Sequence, residues 1–219
     1  MRVKSEARRL AYVHAAGAMF LQHGYADVSM EGIAAAVGGS KVTLYGYFAS
    51  KEELFEAFVV EIGRGKAQQL EEIKAMRDDP GATLLALGLA YLRLVTAPDI
   101  VALDRLIISE AVRFPELTRI FYEHGPRQVV TTMGRVLGGL RLAQGLSAPS
   151  VRLLALQFKA LCEATIRDRQ LWCLDPVPGS KLLRSSVDAA VALFLNGCTG
   201  LSPEQAARRL PHAAATPEA

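Results

Sequence analysis

The sequence predicts an all-helical chain: a small N-terminal domain followed by a larger helical bundle. Three observations carry this. Apolar residues recur at helical spacing through most of the 219 residues. No segment sustains the period-2 alternation of a half-buried strand. Glycines and prolines, with serines at cap positions, punctuate the apolar stretches where helices should begin and end. Just over half of the residues are hydrophobic and aromatics are scarce, so the core should be built from Leu, Ala and Val. A chain of this length buries a sizeable one.

The elements follow in order. A first helix is expected from Ser5 to His23, with Val13, Ala16 and Phe20 on one face and Gly24 as its stop. Ser29 can cap a short second helix in which Ile33 and Val37 lie one turn apart. Gly38 and Gly39 end it, and Ser40 can cap a third helix running to Phe48. Ser50 caps a long fourth helix, Lys51 to about Arg77, with Glu52 and Glu53 in the first turn to suit the dipole. Beyond Pro80, longer apolar helices are expected at 81–96 and 99–113, and "FPEL" (114–117) breaks the chain. A short helix reaches Glu123, and Gly125-Pro126 either kinks it or restarts it towards Ala143. Pro149 begins a helix to Trp172, with Leu154, Phe158, Leu161 and Thr165 on one face, and "DPVPG" is a linker. Helix 180–197 carries the stripe Leu183, Val187, Val191 and Phe194. Ser202 to Gln205 form a capping box for a short terminal helix, and the last residues are expected to be disordered. The expected total is about nine helices plus that short terminal one. The expected domains are 1–50, 51–210 and a tail, 211–219.

Composition narrows the function classes. No apolar run reaches the roughly 18 residues that a membrane span needs, and no signal peptide is read at the basic start, "MRVKSEARRL". Cys162, Cys173 and Cys198 form no metal-ligand spacing, so reduced, cytoplasmic thiols are expected. Through residue 51, Arg2, Lys4, Arg8, Arg9, Lys41 and Lys51 stand against Glu6, Asp27 and Glu31, which accounts for the whole net charge of +3. A basic end on a neutral body suits a polyanion partner. Asp104, Glu123 and His124 lack ligand spacing and read as solvated helix faces, so no metal is expected. Glu163 and Asp168 beside Arg167 and Arg169 read as surface ion pairs. Cys162 reads as a small core residue, and Cys173 beside Trp172 is a candidate sensor of oxidants or electrophiles. There is no phosphate-binding glycine loop, GxSxG or HExxH. No catalytic residue and no cofactor are assigned.

The stretch "SKVTLYGYFASKEEL" (40–54) carries the functional reading. Two short helices joined by a glycine turn, after a longer one, make a helix-turn-helix. Leu44 and Phe48 face inward. Lys41 and Tyr45 share another face, with Val42 and Thr43 at its N-terminal end and Tyr47 flanking. In such a motif the start of the second short helix enters the major groove, while the flanks grip phosphate. Lysine offers charge to a phosphate or guanine edge, threonine a hydroxyl and methyl, tyrosine a hydroxyl for phosphate oxygen.

The segment "SMEGIAAAVGGSKVTLYGYFASKEEL", with "RLAYVHAAGAMFLQHGYADVS" before it, resembles the DNA-binding domain of TetR-family transcriptional regulators over residues 9–58. The resemblance implies that Ser40 to Phe48 hold the recognition helix, with Lys41, Val42 and Thr43 at or near base edges. It places Tyr45, Tyr47 and Lys51 at phosphate-gripping positions and Ser29 at a phosphate-facing cap. Two positions depart from the family pattern. Gly39 replaces a small apolar plug and predicts a loosely packed turn. Gly46 stands inside the expected recognition helix, at a cost of about 1 kcal/mol relative to alanine.

The same resemblance implies a homodimer on double-stranded operator DNA, with two heads about 34 Å apart or a multiple of that. The last two long helices resemble the family's dimer pair, which would put Leu154, Phe158, Leu161, Leu183, Val187, Val191 and Phe194 at the interface. Packing of these stripes within one subunit is the alternative, because core and interface stripes look alike in sequence. Helices 81–143 would form an effector domain. "RFPELTRIFYEHGP" (113–126) is similar to the AefR-like C-terminal subgroup. Tyr91, Leu106, Phe121, Met133 and Trp172 are candidates to line a pocket for a small apolar effector, with core packing as the alternative. The implied function is a one-component regulator, more often a repressor than an activator. The rival readings are a regulator without a small-molecule effector, and a helical carrier or enzyme for an apolar compound.

Overall fold

The computed structural model describes residues 5–64, 66–164 and 166–199. They are helical throughout, with no strand among them. The helices are α1 Glu6–His23, α2 Met30–Ala36, α3 Lys41–Tyr45, α4 Lys51–Gly63, α5 Lys66–Glu71, α6 Pro80–Val95, α7 Pro98–Glu110, α8 Pro115–His124 and α9 Pro126–Gly138, then α10 Ala148–Glu163, α11 Arg167–Leu171 and α12 Ser180–Thr199. A 3-10 turn, Arg141–Ala143, lies between α9 and α10. The expected capping box at 202–205 and the tail 211–219 lie outside the described residues.

Serines start four of the helices, three of them (Ser29, Ser40 and Ser50) as expected and Ser147 in addition, one residue before Ala148 where Pro149 was expected to begin the helix. Ser29, Ser40, Ser50 and Ser147 each accept a backbone N–H of the first turn, from Gly32, Thr43, Glu53 and Ser150 respectively. Four expected spans are corrected. The helix from Lys51 ends at Gly63 rather than near Arg77, because Arg64, flanked by glycines, is extended. The helix from Pro126 stops at Gly138, where a second glycine and extended Leu140 follow. The helix ending at Trp172 is two helices, broken after Glu163 where no glycine or proline marks the sequence. The third helix closes at Gly46, whose N–H bonds to Val42 O, so this glycine terminates the helix instead of interrupting it.

By internal contacts the chain falls into two compact units. One consists of the chain up to Arg64 with Pro98–Arg127, the other of the segment between them and the chain from Gln128 onward. In the first unit α1 packs on α4, α2 on α3, and α7 and α8 on the far side of α4. Its core joins Tyr12, Val13, Ala16 and Phe20 of α1 to Ile33, Leu44, Phe48, Phe55 and Phe58, and to Leu103, Leu106, Ile107 and Leu117. Helix α3 and the turn after it are therefore mounted on an aromatic-rich core by two inward anchors, Leu44 and Phe48.

In the second unit α12 lies against α6 and α10. The approach of α6 to α12 depends on Gly88. A Cβ there would stand 2.5 Å from Val187 Cγ1 and 3.3 Å from Cys162 Sγ. Phe158 and Phe194 meet edge-on, their rings 5.2 Å apart.

Candidate nucleic-acid interface

The N-terminal unit exposes the side chains at the start of α3. Leu44 is fully buried, which turns Lys41, Val42, Thr43 and Tyr45 outward, and Val42 is 83% exposed. Ser40 Oγ accepts the N–H of Thr43 and lies 2.8 Å from Thr43 Oγ1, so the two hydroxyls form one polar step at the start of α3. Ser29 is exposed, and its hydroxyl accepts the N–H of Gly32 at 3.1 Å. The starts of α2 and α3 thus both present backbone N–H groups and a hydroxyl to solvent.

Lys41 reaches across to α2, where its ammonium is bound by the carboxylate of Glu31. This contact lowers the Glu31 pKa and raises that of Lys41. The Lys41 ammonium also lies 5.8 Å from the centre of the Tyr45 ring. Tyr47 turns away from the reading face: its ring stacks at a tilt on Tyr12 at 5.7 Å, and its hydroxyl oxygen accepts the N–H of Ser5 at 3.1 Å. Tyr47 is thereby tied to the start of α1.

Lys51 has a different position from the one expected of a phosphate grip. Its ammonium donates to the carbonyls of Tyr25 and Val28, at 2.8 and 2.9 Å, and sits 4.1 Å from the centre of the Tyr25 ring. Burial lowers its pKa. Two of three ammonium hydrogens hold the α1–α2 loop in place immediately before Ser29, so Lys51 positions the cap of α2 from behind. Tyr25 is the hub of this loop. Its hydroxyl donates to Glu52 at 2.9 Å, its N–H donates to Glu110 at 3.1 Å, and its ring meets Phe20, Phe55 and Phe114. Glu110 also accepts the N–H of Ala26 at 3.4 Å. "Gly-Tyr" at the end of α1 marks Tyr25 in the sequence, but no local signal marks Glu110 as its partner.

The glycine turn is filled, which corrects the expected loose packing at Gly39. The fully buried phenol of Tyr12 fills the space beside Gly39, so a Cβ at residue 39 would overlap its oxygen. The Arg8 guanidinium lies over the Tyr12 ring and next to the same turn, adding a cation beside the start of α3 that the motif alone did not mark.

Comparison with known families settles the class of protein. Residues 13–58 match the family described as bacterial regulatory proteins, tetR family. Residues 82–197, more than half of the chain, match the AefR-like transcriptional repressor, C-terminal domain. The chain belongs to the TetR family. Solved structures agree in fold. A TetR-family regulator from Mesorhizobium loti is 24% identical, with a TM-score of 0.75, over 90% of this chain and 98% of that one. The flavonoid-responsive regulator FrrA is 27% identical, with a TM-score of 0.74, over 88% and 97%. FadR, a fatty acid degradation regulator from Bacillus halodurans, is 19% identical, with a TM-score of 0.62, over 89% and 97%. A comparison with curated proteins gives no match.

In this TetR-family chain the five residues expected to line a pocket are divided between the two units. Leu106 and Phe121 belong to the N-terminal unit's core, while Tyr91 and Met133 are buried in the second unit. Trp172 is 66% exposed. An open groove of about 610 Å³ lies elsewhere in the second unit, between α9 and the start of α10. Val130, Thr131, Gly134, Leu146, Val151 and Arg152 are among its walls, and none of the five expected residues is. Tyr91 instead donates its hydroxyl to Glu163, which also accepts from Lys159 at 2.8 Å. The Arg167 guanidinium stands 3.9 Å from Glu163 and donates to the Val95 carbonyl at 2.8 Å. Glu163 and Arg167 are thus a part-buried cluster, not the surface pair expected. Arg169 pairs instead with Asp175, at 2.5 and 2.8 Å.

The expected dimer stripe is corrected too. Leu154, Phe158, Leu183, Val187 and Phe194 are buried within the single chain, and Leu161 and Val191 are half-buried. A side chain already removed from water has no surface left for a second copy. These five are core within the chain, while Leu161 and Val191 keep part of their surface; a core stripe and an interface stripe have the same periodicity. Outside the core stripes, Leu156 on α10 and Leu182 and Leu193 on α12 are exposed.

Proposed function

We propose that this TetR-family regulator is a one-component repressor that binds a palindromic operator as a homodimer and is released by a small, mostly apolar effector. The observation that carries the DNA end is the face built from Ser29, Ser40, Lys41, Val42, Thr43 and Tyr45, exposed on a helix whose inward residues lock it to a rigid core. In this reading Lys41, Val42 and Thr43 meet base edges, and Ser29, Ser40 and Tyr45 meet phosphate. Tyr47 and Lys51 act on the same contacts by holding the ends of α1 and α2. Residues 1–50 carry the DNA-reading work and 51–210 the effector and dimer work, in the cytoplasm.

The second copy meets the outer faces of α10 and α12. Leu156 and Ala160 on α10, with half-buried Leu153, and Leu182, Ala189 and Leu193 on α12 form uncharged stripes outside the core faces. Exposed apolar stripes on paired helices suit self-association. The effector end rests on the groove beside α9 and α10, whose walls are small or apolar apart from Thr131, Gln144 and Arg152. FrrA, by its name, responds to flavonoids, and FadR regulates fatty acid degradation. Both suit an apolar effector here.

A mobility-shift assay against a randomised duplex library tests the reading. The protein should select a near-palindrome, and Thr43→Val should change the selected bases more than the overall affinity. Leu193→Glu should convert a dimer into a monomer in sedimentation and abolish binding to the full palindrome. Equal binding to all duplexes by parent and variants would sink the proposal.

A further inference from the structure

Glu31 carries a negative charge on the face that this chain turns towards a polyanion. Its backbone is in the first turn of α2, and its carboxylate is spent on Lys41 of α3. Both side chains are more than half exposed, at 57% for Glu31 and 52% for Lys41, so the pair is not part of the core. An exposed pair of this kind adds little to folding stability. Among the residues that face outward at α3, Lys41 is the one ammonium, and the structure shows it already occupied.

We propose that Glu31 is a specificity-determining residue that acts through Lys41, holding its ammonium away from phosphate until a matching base pair is met. The inference rests on the DNA-binding reading above. Away from the operator, Lys41 remains with Glu31, and the pair contributes no net charge to backbone binding. One phosphate fewer is neutralised, and one counterion fewer is released. At the operator, the ammonium turns to the O6 and N7 edge of a guanine. The carboxylate is then left facing the groove, where it is tolerated only beside a base amino group, cytosine N4 or adenine N6. A base that presents an acceptor there meets an unpaired carboxylate and is rejected. Discrimination thus comes from a penalty on wrong sequences as well as a contact to the right one.

The test measures binding of the full-length protein to the selected operator and to a random duplex of equal length, across a salt series. Parent, Glu31→Gln, Lys41→Ala and the double variant are compared. Glu31→Gln should strengthen random-duplex binding several-fold and steepen its salt slope by about one ion. Operator binding should stay level or weaken, so the ratio of the two affinities should fall roughly tenfold. In the Lys41→Ala background, Glu31→Gln should no longer steepen the salt slope of random-duplex binding, because no ammonium is freed, and the ratio should fall far less, by the carboxylate's own repulsion alone. An equal gain on both duplexes, no change on either, or an undiminished effect without Lys41 would each overturn the inference while DNA binding stands. A parent that binds neither duplex would overturn the DNA-binding reading and this inference with it.

Discussion

The phenol of Tyr12 and the bare backbone of Gly39 are complementary: one fills the space that the absence of a side chain leaves. The Tyr12 oxygen is buried and finds no hydrogen-bond partner among the described residues. Gly39→Val should therefore overpack the turn and cost about 1–3 kcal/mol. Tyr12→Phe alone should be neutral or stabilise by about 1 kcal/mol, because it removes an unsatisfied buried hydroxyl. Replacing Tyr12 with leucine in the Gly39→Val chain should recover much of the loss. Denaturant midpoints for the parent, these variants and Tyr12→Leu alone, five chains in all, check all three statements. Additive losses in the double variant would mean that the two positions do not share one space.

Lys51 and Lys41 should separate cleanly on mutation. Lys51→Met strips a charged donor from two carbonyls of the α1–α2 loop and should lower stability by about 1–3 kcal/mol. Lys41→Met should leave the unfolding midpoint at the parent's value, since its partner is an exposed surface carboxylate. Unfolding curves without DNA decide this. If both variants unfolded at the parent's midpoint, Lys51 would have no structural role.

Tyr25 and Glu52 give the protein an acid-sensitive link. Burial works to raise the Glu52 pKa, but its own backbone N–H, the Ser50 hydroxyl and the Tyr25 phenol outweigh it, and the folded value lies below the ordinary one. A carboxyl held low in the folded state contributes stability that is fully present above its unfolded pKa. That contribution is lost as pH falls through the lower folded value. Tyr25→Phe removes one of the groups that stabilise the carboxylate. The variant should lose stability at neutral pH and show a smaller further loss on acidification than the parent. Parallel pH curves for the two proteins would contradict this.

Thiol reagents should distinguish the cysteines. Cys162 is fully buried between α10, α6 and α12, and burial pushes its thiol up to about 12. Cys173 is exposed, at a left-handed backbone position with φ 57°. Brief alkylation at neutral pH should label Cys173 and spare Cys162 until the protein unfolds, as peptide mapping would show. Labelling of both at equal rates would mean that the second unit opens readily.

Local chemistry was legible in the sequence, and long-range partnership was not. Ser29, Ser40 and Ser50 cap their helices as their spacing implies, because a cap is decided within four residues. Leu44 and Phe48 face the core for the same reason. Lys51 was legible as a cation near the reading face, but what it touches depends on a loop over twenty residues earlier in the chain. Leu154, Phe158, Val187 and Phe194 form apolar stripes either way, and only the packing tells a core stripe from an interface. Tyr91 read as a pocket aromatic, and its hydroxyl is spent on Glu163, 72 residues away.

Glu110 lies within the AefR-like match, yet its carboxylate binds two amides beside Tyr25, at the end of the first helix. Cutting the chain after residue 50 therefore removes Lys51, Glu52 and Glu110 at once, and with them the side chains that, among the described residues, bind the backbone and phenol of Tyr25. A hybrid made by splicing this head onto another regulator's body would inherit those bare amides unless the new body supplies an acid at the same spot. Swapping promoter recognition between relatives is for this protein a matter of transplanting a joint, not of exchanging a detachable tip.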